Sequence, residues 1–133
     1  HLRIVVSDQS NGDERKAIDS IMTNLRKLVQ ETGVGLFLVS HLKRSNGTAH
    51  EDGGKISLSE LRGSQSIAQL SDIVIGLERD QQNKDPQVRN TTTIRVMKNR
   101  FCGLTGLACY LYYDKDSGRM IETTCPVEDE VEF

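Results

Sequence analysis

Three groups of residues in this sequence could do chemistry. His41 stands behind Gly35-Leu36-Phe37-Leu38-Val39 and Ser40. That apolar run reads as a strand covered on both faces. In parallel α/β sheets ligands bind at the carboxyl ends of strands. A titratable imidazole there is a candidate site residue, and equally a histidine that only caps a strand. Lys98 and Arg100 form the second group. Two cations at strand period 2 point the same way, as one shared phosphate site would need; a solvated basic strand end looks the same. The third group is Lys43, Arg44 and Lys55 in the loop after His41, followed by Arg62 and Gly63. Cations and backbone amides in loops can neutralise phosphates without reading sequence. Glu51 and Asp52 dilute that charge, so a solvated charged loop fits as well.

The elements that must position these groups are legible from periodicity. A helix is expected from about Asp13 to Thr32, with Asn11 or Asp13 as its cap and Glu14 in its first turn. Ile18, Ile21, Met22, Leu25, Leu28 and Val29 recur at helical spacing and make one apolar stripe. Gly33 ends the helix. Helix, glycine and buried strand make half of a βαβ unit. The linker from His41 to Ser57 is polar, glycine-rich and too long for a simple connection. Ser57 or Ser59 can cap a short helix that Gly63 interrupts. Ile73-Val74-Ile75-Gly76-Leu77 reads as a second strand buried on both faces. Asp80 to Asn90 is a polar loop. Thr91 to Lys98, Leu107 to Tyr113 and Arg119 to Thr123 read as strands, with turns at Asn99–Gly103 and Asp114–Gly118. Leu2 to Val6 is a short strand or a strand's tail. From Pro126 the chain turns acidic and reads as a disordered tail. The domain organisation expected is a core over residues 1–125 and a tail over 126–133.

Composition narrows the class. With 133 residues the chain is one domain with an aliphatic core, since it has no tryptophan. A net charge of −2 gives no global nucleic-acid signal, so such contacts must be local. Cys102, Cys109 and Cys125 lack zinc or redox spacing and suit free thiols in a reducing compartment. No segment is long and apolar enough to span a membrane, and no signal peptide is read at the start. The chain opens on His-Leu-Arg-Ile-Val-Val without a starting Met, which reads as a fragment or one half of a split protein. The fold class is α/β at the start with an antiparallel β section at the end, as in the C-terminal part of a RecA-like core with a mixed sheet.

Six strings in order then carry a resemblance: DERK (Asp13–Lys16), SHLKR (Ser40–Arg44), LRGS (Leu61–Ser64), QLSD (Gln69–Asp72), LER (Leu77–Arg79) and KNRFCG (Lys98–Gly103). They resemble the helicase domain of T7-like phage primase–helicases, with the mitochondrial replicative helicase and DnaB-type helicases as more distant relatives. The resemblance implies a RecA-like fold and a homo-hexameric ring around single-stranded DNA. It implies hydrolysis of ATP or dTTP with Mg2+ between subunits, in the cytoplasm of an infected bacterial host. By that resemblance His41 is the phosphate sensor, Arg100 the arginine finger, Lys98 its companion and Gln69 the coupler of nucleotide state to DNA loops. Lys43, Arg44, Lys55, Arg62 and Gly63 line the DNA channel. Arg79 and Tyr113 sandwich the nucleotide base. Phe133, closing the acidic tail, resembles the family's docking residue for the phage DNA polymerase; a solubilising tail with a chance phenylalanine reads the same.

The sequence departs from the family in what it lacks. It contains no GxxxxGK[ST] phosphate loop. The family's catalytic glutamate is absent, and its metal-binding aspartate would immediately precede His1. Alone, the chain is expected not to hydrolyse nucleotide, and it offers no metal ligands of its own. The competing expectations are a non-catalytic RecA-like nucleic-acid-binding or assembly module, and a filament-forming recombinase relative.

Overall fold

The computed structural model describes residues 14–42, 49–61 and 65–126. The chain divides into two compact units: His1–Lys43 with Ser57–Asp72, and Arg44–Ile56 with Ile73–Phe133. The expected Leu2–Val6 strand, the caps Asn11 and Asp13, and the acidic tail from Val127 lie outside the described residues.

The first unit is built on helix α1, Glu14–Thr32. Its stripe packs as the spacing requires: Ile18, Ile21 and Met22 are buried with Ile67, and Ala17, Leu25, Leu38, Leu61 and Leu70 close around them. Leu28, farther along the stripe, is exposed. Gly33 takes φ +69° and its N–H donates to the Val29 carbonyl at 2.9 Å, closing the last turn. The expected interrupted helix is a 3-10 turn at Leu58–Glu60 and a short helix α2, Ser66–Leu70. Ser57 heads the 3-10 turn, its N–H donating to Glu60 Oε2 at 2.7 Å. Arg26 on α1 reaches Asp72 just past α2 at 2.6 Å.

Within this unit the run Val34–Val39 departs from expectation. It has no regular secondary structure, and Leu36, Phe37 and Val39 are exposed, Phe37 by 97%. A strand buried on both faces needs a ladder on each side to satisfy its backbone. Among the described residues no strand pairs with this one. The nearest pairing is an isolated bridge between Leu42 and Leu61.

The second unit is a four-stranded sheet in the order β1-β2-β3-β4, antiparallel throughout. The strands are β1 (Ile73–Glu78), β2 (Thr91–Asn99), β3 (Gly106–Asp114) and β4 (Arg119–Thr123). The described part of the expected mixed sheet is therefore its antiparallel section. β1 is a strand, as expected, but it is not covered on both faces. Gly76 and Glu78 are buried while Ile73, Ile75 and Leu77 are exposed. Antiparallel sheets commonly pack one face only. A register shift between Val74 and Ile75 locally breaks the ladder to β2.

The polar stretch after β1 also differs from a plain loop. Pro86–Arg89 forms a helical turn, α3. Asp85 caps it, accepting from the Gln87 N–H at 2.8 Å, and Pro86 sits at the first position, where its missing N–H costs nothing. The β3–β4 turn is tied by Asp114, whose carboxylate accepts from Ser117 Oγ and, at 3.1 Å, from the Asp116 N–H.

Candidate functional site

Asn99 builds the tip of the β2–β3 hairpin. Its Oδ1 accepts from the Phe101 N–H at 3.1 Å and the Cys102 N–H at 3.4 Å, and its carbonyl accepts from the Gly103 N–H at 2.9 Å. Gly103 takes φ +72°, the left-handed conformation that this reversal requires. Arg100, Phe101 and Leu104 are exposed on the resulting tip. Lys98 lies inside β2, paired with Val74, whereas Arg100 is the first residue of the turn. The strand-period reasoning therefore reaches Lys98 but not Arg100, whose direction is set by the turn. A cation on a projecting tip can act beyond its own unit.

A second grouping gathers at the opposite ends of the same strands. Arg79 follows β1 directly. Its Nε donates to the Arg89 carbonyl at 2.7 Å and its Nη2 to Asn90 Oδ1 at 3.4 Å. The Asn90 carbonyl accepts from the Tyr113 N–H at 2.8 Å. Arg79 and Tyr113 thus share one neighbour, the buried Asn90. Tyr113 is 37% exposed, and an exposed tyrosine can offer its ring for stacking.

Lys55 is exposed and precedes a fixed point. The Ile56 N–H donates to Glu78 Oε1 at 2.9 Å, and the same carboxylate receives Arg95 Nε at 3.0 Å and Nη2 at 3.1 Å. Burial pushes the Glu78 carboxyl up. The hydrogen bonds from Arg95 and Ile56, with the charges of Arg95 and Lys55, outweigh it and hold the carboxyl below its ordinary value. The Arg95 guanidinium is raised in turn, chiefly by its hydrogen bond to Glu78. The loop before Lys55 is tied to Asp80 by the Asp52–Asp80 bridge and to Gln81, whose N–H donates to the Glu51 carbonyl at 2.9 Å.

His41 and Gln69 belong to the first unit. His41 is exposed beside the Leu42–Leu61 bridge, and Gln69 is exposed on α2 two residues from the buried Ile67. Lys43, Arg44, Arg62, Gly63 and Phe133 lie outside the described residues. Among the described residues no group of three or more His, Cys, Asp or Glu side chains could hold a metal ion. No helix among them is long and apolar enough to cross a membrane.

Sequence reasoning missed Asn90 and the Glu78–Arg95 pair. The pair had a signal, since Glu78 closes the apolar run of β1 and Arg95 stands between Ile94 and Val96, whereas the Asp85-Pro86 dipeptide marks only the helix start before Asn90.

Solved structures share this fold. One, the ATPase domain of another protein, superposes with a TM-score of 0.69 at 25% identity, over 86% of this chain and 39% of that one. A DnaB-like replicative helicase, solved to show its interactions with primase, gives 0.68 at 26% identity, over 84% of this chain and 26% of that one. The fold is that of a RecA-like ATPase core, of which the chain carries a part. Residues 1–120 match the DnaB-like helicase C terminal domain, and the chain belongs to that family. It is 45% identical over 119 residues to the DNA helicase/primase of Enterobacteria phage T3, covering 89% of this chain and 20% of that protein. The chain thus spans about a fifth of that relative's length.

Proposed function

We propose that this chain is the C-terminal part of a nucleotide-driven replicative DNA helicase, one that moves along single-stranded DNA as a homo-hexameric ring. The observation that carries the reading is Arg100, exposed on a hairpin tip braced by Asn99, in a chain of the DnaB-like family. A guanidinium so placed suits an arginine finger, which enters a neighbouring subunit's site and stabilises charge on the transferred phosphoryl group. When bound there, ATP or dTTP with Mg2+ supplies the phosphoanhydride whose cleavage drives the motor. Lys98 adds charge to the same hairpin. Arg79 and Tyr113 flank the base, and the shared anchor at Asn90 supports taking them as a pair.

His41 donates a hydrogen bond that senses the terminal phosphate and relays its loss to the loop that follows. Gln69 couples nucleotide state to DNA contacts. Lys43, Arg44, Lys55, Arg62 and Gly63 neutralise DNA phosphates without reading bases. Phe133 anchors the acidic tail on a basic patch of the phage DNA polymerase. The protein works in the cytoplasm of an infected bacterium.

The test is nucleotide hydrolysis with and without single-stranded DNA, by this chain alone and by the full-length protein. Hydrolysis by the full-length protein, stimulated by DNA, is expected. No hydrolysis in either form would leave a nucleic-acid-binding module and remove the roles given to His41 and Arg100.

A further inference from the structure

We propose that Asn90 is the positioning residue of the nucleotide-base site, holding Arg79 through its side chain and the Tyr113 backbone through its carbonyl. The proposal rests on reading Arg79 and Tyr113 as the base-stacking pair.

Topology makes Asn90 the natural junction. β2 lies between β1 and β3 in the sheet. Arg79 leaves the end of β1 and Tyr113 lies near the end of β3, so the two are not ladder neighbours. Asn90 directly precedes β2 at the end of the sheet where Glu78 pairs with Thr93 and Tyr112 with Thr91. It is therefore flanked by both. It is only 4% exposed. Its backbone N–H donates to the Pro86 carbonyl at 3.1 Å, its carbonyl accepts from the Tyr113 N–H at 2.8 Å, and its Oδ1 accepts from Arg79 Nη2 at 3.4 Å. Thr91 Oγ1, donating to the Gln87 carbonyl at 2.8 Å, stiffens the same corner.

Buried polar groups are retained where their partners fix a geometry. Here a neutral amide aims a guanidinium without cancelling its charge, which leaves that charge for a π face. Substitution by alanine removes only the side-chain link, because both backbone hydrogen bonds persist.

The experiment uses the full-length protein and four variants: Asn90→Ala, Asn90→Asp, Arg79→Ala and Tyr113→Ala. For Asn90→Ala the nucleotide KM is expected to rise about five- to tenfold, the scale of one ordinary hydrogen bond, because the lost contact is long at 3.4 Å and Arg79 keeps its bond to the Arg89 carbonyl. The kcat is expected to stay within about twofold, since ground-state binding alone is touched. Competitive inhibition by inorganic tripolyphosphate, which has no base, is expected to be unchanged. Asn90→Asp keeps the acceptor but sets a carboxylate against the guanidinium, so KM is expected to stay above the parent value. In an Arg79→Ala background, Asn90→Ala is expected to add nothing further.

An unchanged KM in Asn90→Ala overturns the proposal if Arg79→Ala and Tyr113→Ala raise KM. So does a parallel loss of tripolyphosphate inhibition, which would mean general damage. If Arg79→Ala and Tyr113→Ala leave KM unchanged, the base-site reading itself fails and the proposal falls with it.

Discussion

Glu78 and Arg95 meet diagonally across β1 and β2, with Arg95 Nε 3.0 Å from Glu78 Oε1 and Nη2 3.1 Å from Oε2. Glu78 stands opposite Thr93, and Arg95 opposite Gly76, so the pair spans two residues of register. The carboxylate side chain is 9% exposed and the guanidinium side chain 27%. The Ile56 N–H completes the carboxylate's set of donors.

Removing either charge leaves the other without its partner. Arg95→Met is expected to destabilise the fold by about 2–3 kcal/mol, below the range for fully buried pairs because Arg95 keeps some solvent. Glu78→Gln with Arg95→Met together are expected to cost less than Arg95→Met alone. Urea denaturation midpoints of the two variants and the parent check this.

The same pair sets an acid limb. The folded Glu78 carboxyl lies below its ordinary value of 4.5, so its contribution is complete above that pH and is lost as pH falls through the lower folded value. Stability measured from pH 7 to pH 3 should fall less steeply in Glu78→Gln than in the parent, from a lower starting level.

Arg100→Ala in the full-length protein is expected to abolish DNA-stimulated hydrolysis, a fall of about a thousandfold or more. Nucleotide binding, read by a fluorescent analogue, is expected to stay nearly intact. Binding lost while turnover persists would contradict the finger role.

Tyr113→Phe keeps the ring and is expected to leave nucleotide affinity near the parent value. Tyr113→Ala removes a stacking face and is expected to weaken affinity by about 1–2 kcal/mol, the scale of base–aromatic stacking. Equilibrium titration with nucleotide separates the two.

Deletion of Phe133 is expected to spare hydrolysis and weaken capture of the phage polymerase, measured by surface-immobilised binding. Equal capture would mean the tail only solubilises.

Elements whose own residues settle their state were legible in the sequence. The α1 stripe, the Gly33 stop and strands β2 to β4 came from periodicity and turn residues, and each appears within a residue or two of its expected bounds. Val34–Val39 was not legible in the same way. Its apolar run specifies burial, but a strand also needs neighbours, and no paired neighbour is found among the described residues. β1 was half legible: its alternation of Ile73, Ile75 and Leu77 with Val74, Gly76 and Glu78 reports one packed face, yet every residue but the last is apolar or glycine and hides the period. Of the candidate site, motif register picked out Arg79 and Tyr113. Asn90 escaped because a lone asparagine before a strand looks like a turn residue, and its worth comes from two segments distant in sequence. The turn at Asn99–Gly103 was legible, but pairing Arg100 with Lys98 at strand period was not sound, since β2 ends at Asn99, which turns the chain through its own side chain.

Among the described residues the four strands pair only with their neighbours in the chain, so this sheet is a simple meander. Each strand closes a short loop when it docks, and short loops carry little closure entropy. Contacts of this kind form fast, and hairpins assemble in about 1–10 microseconds. The hairpin that presents Arg100 and the corner that holds Arg79 and Tyr113 are opposite ends of one such zipper. Seating β2 against its two neighbours therefore completes both ends in the same folding step.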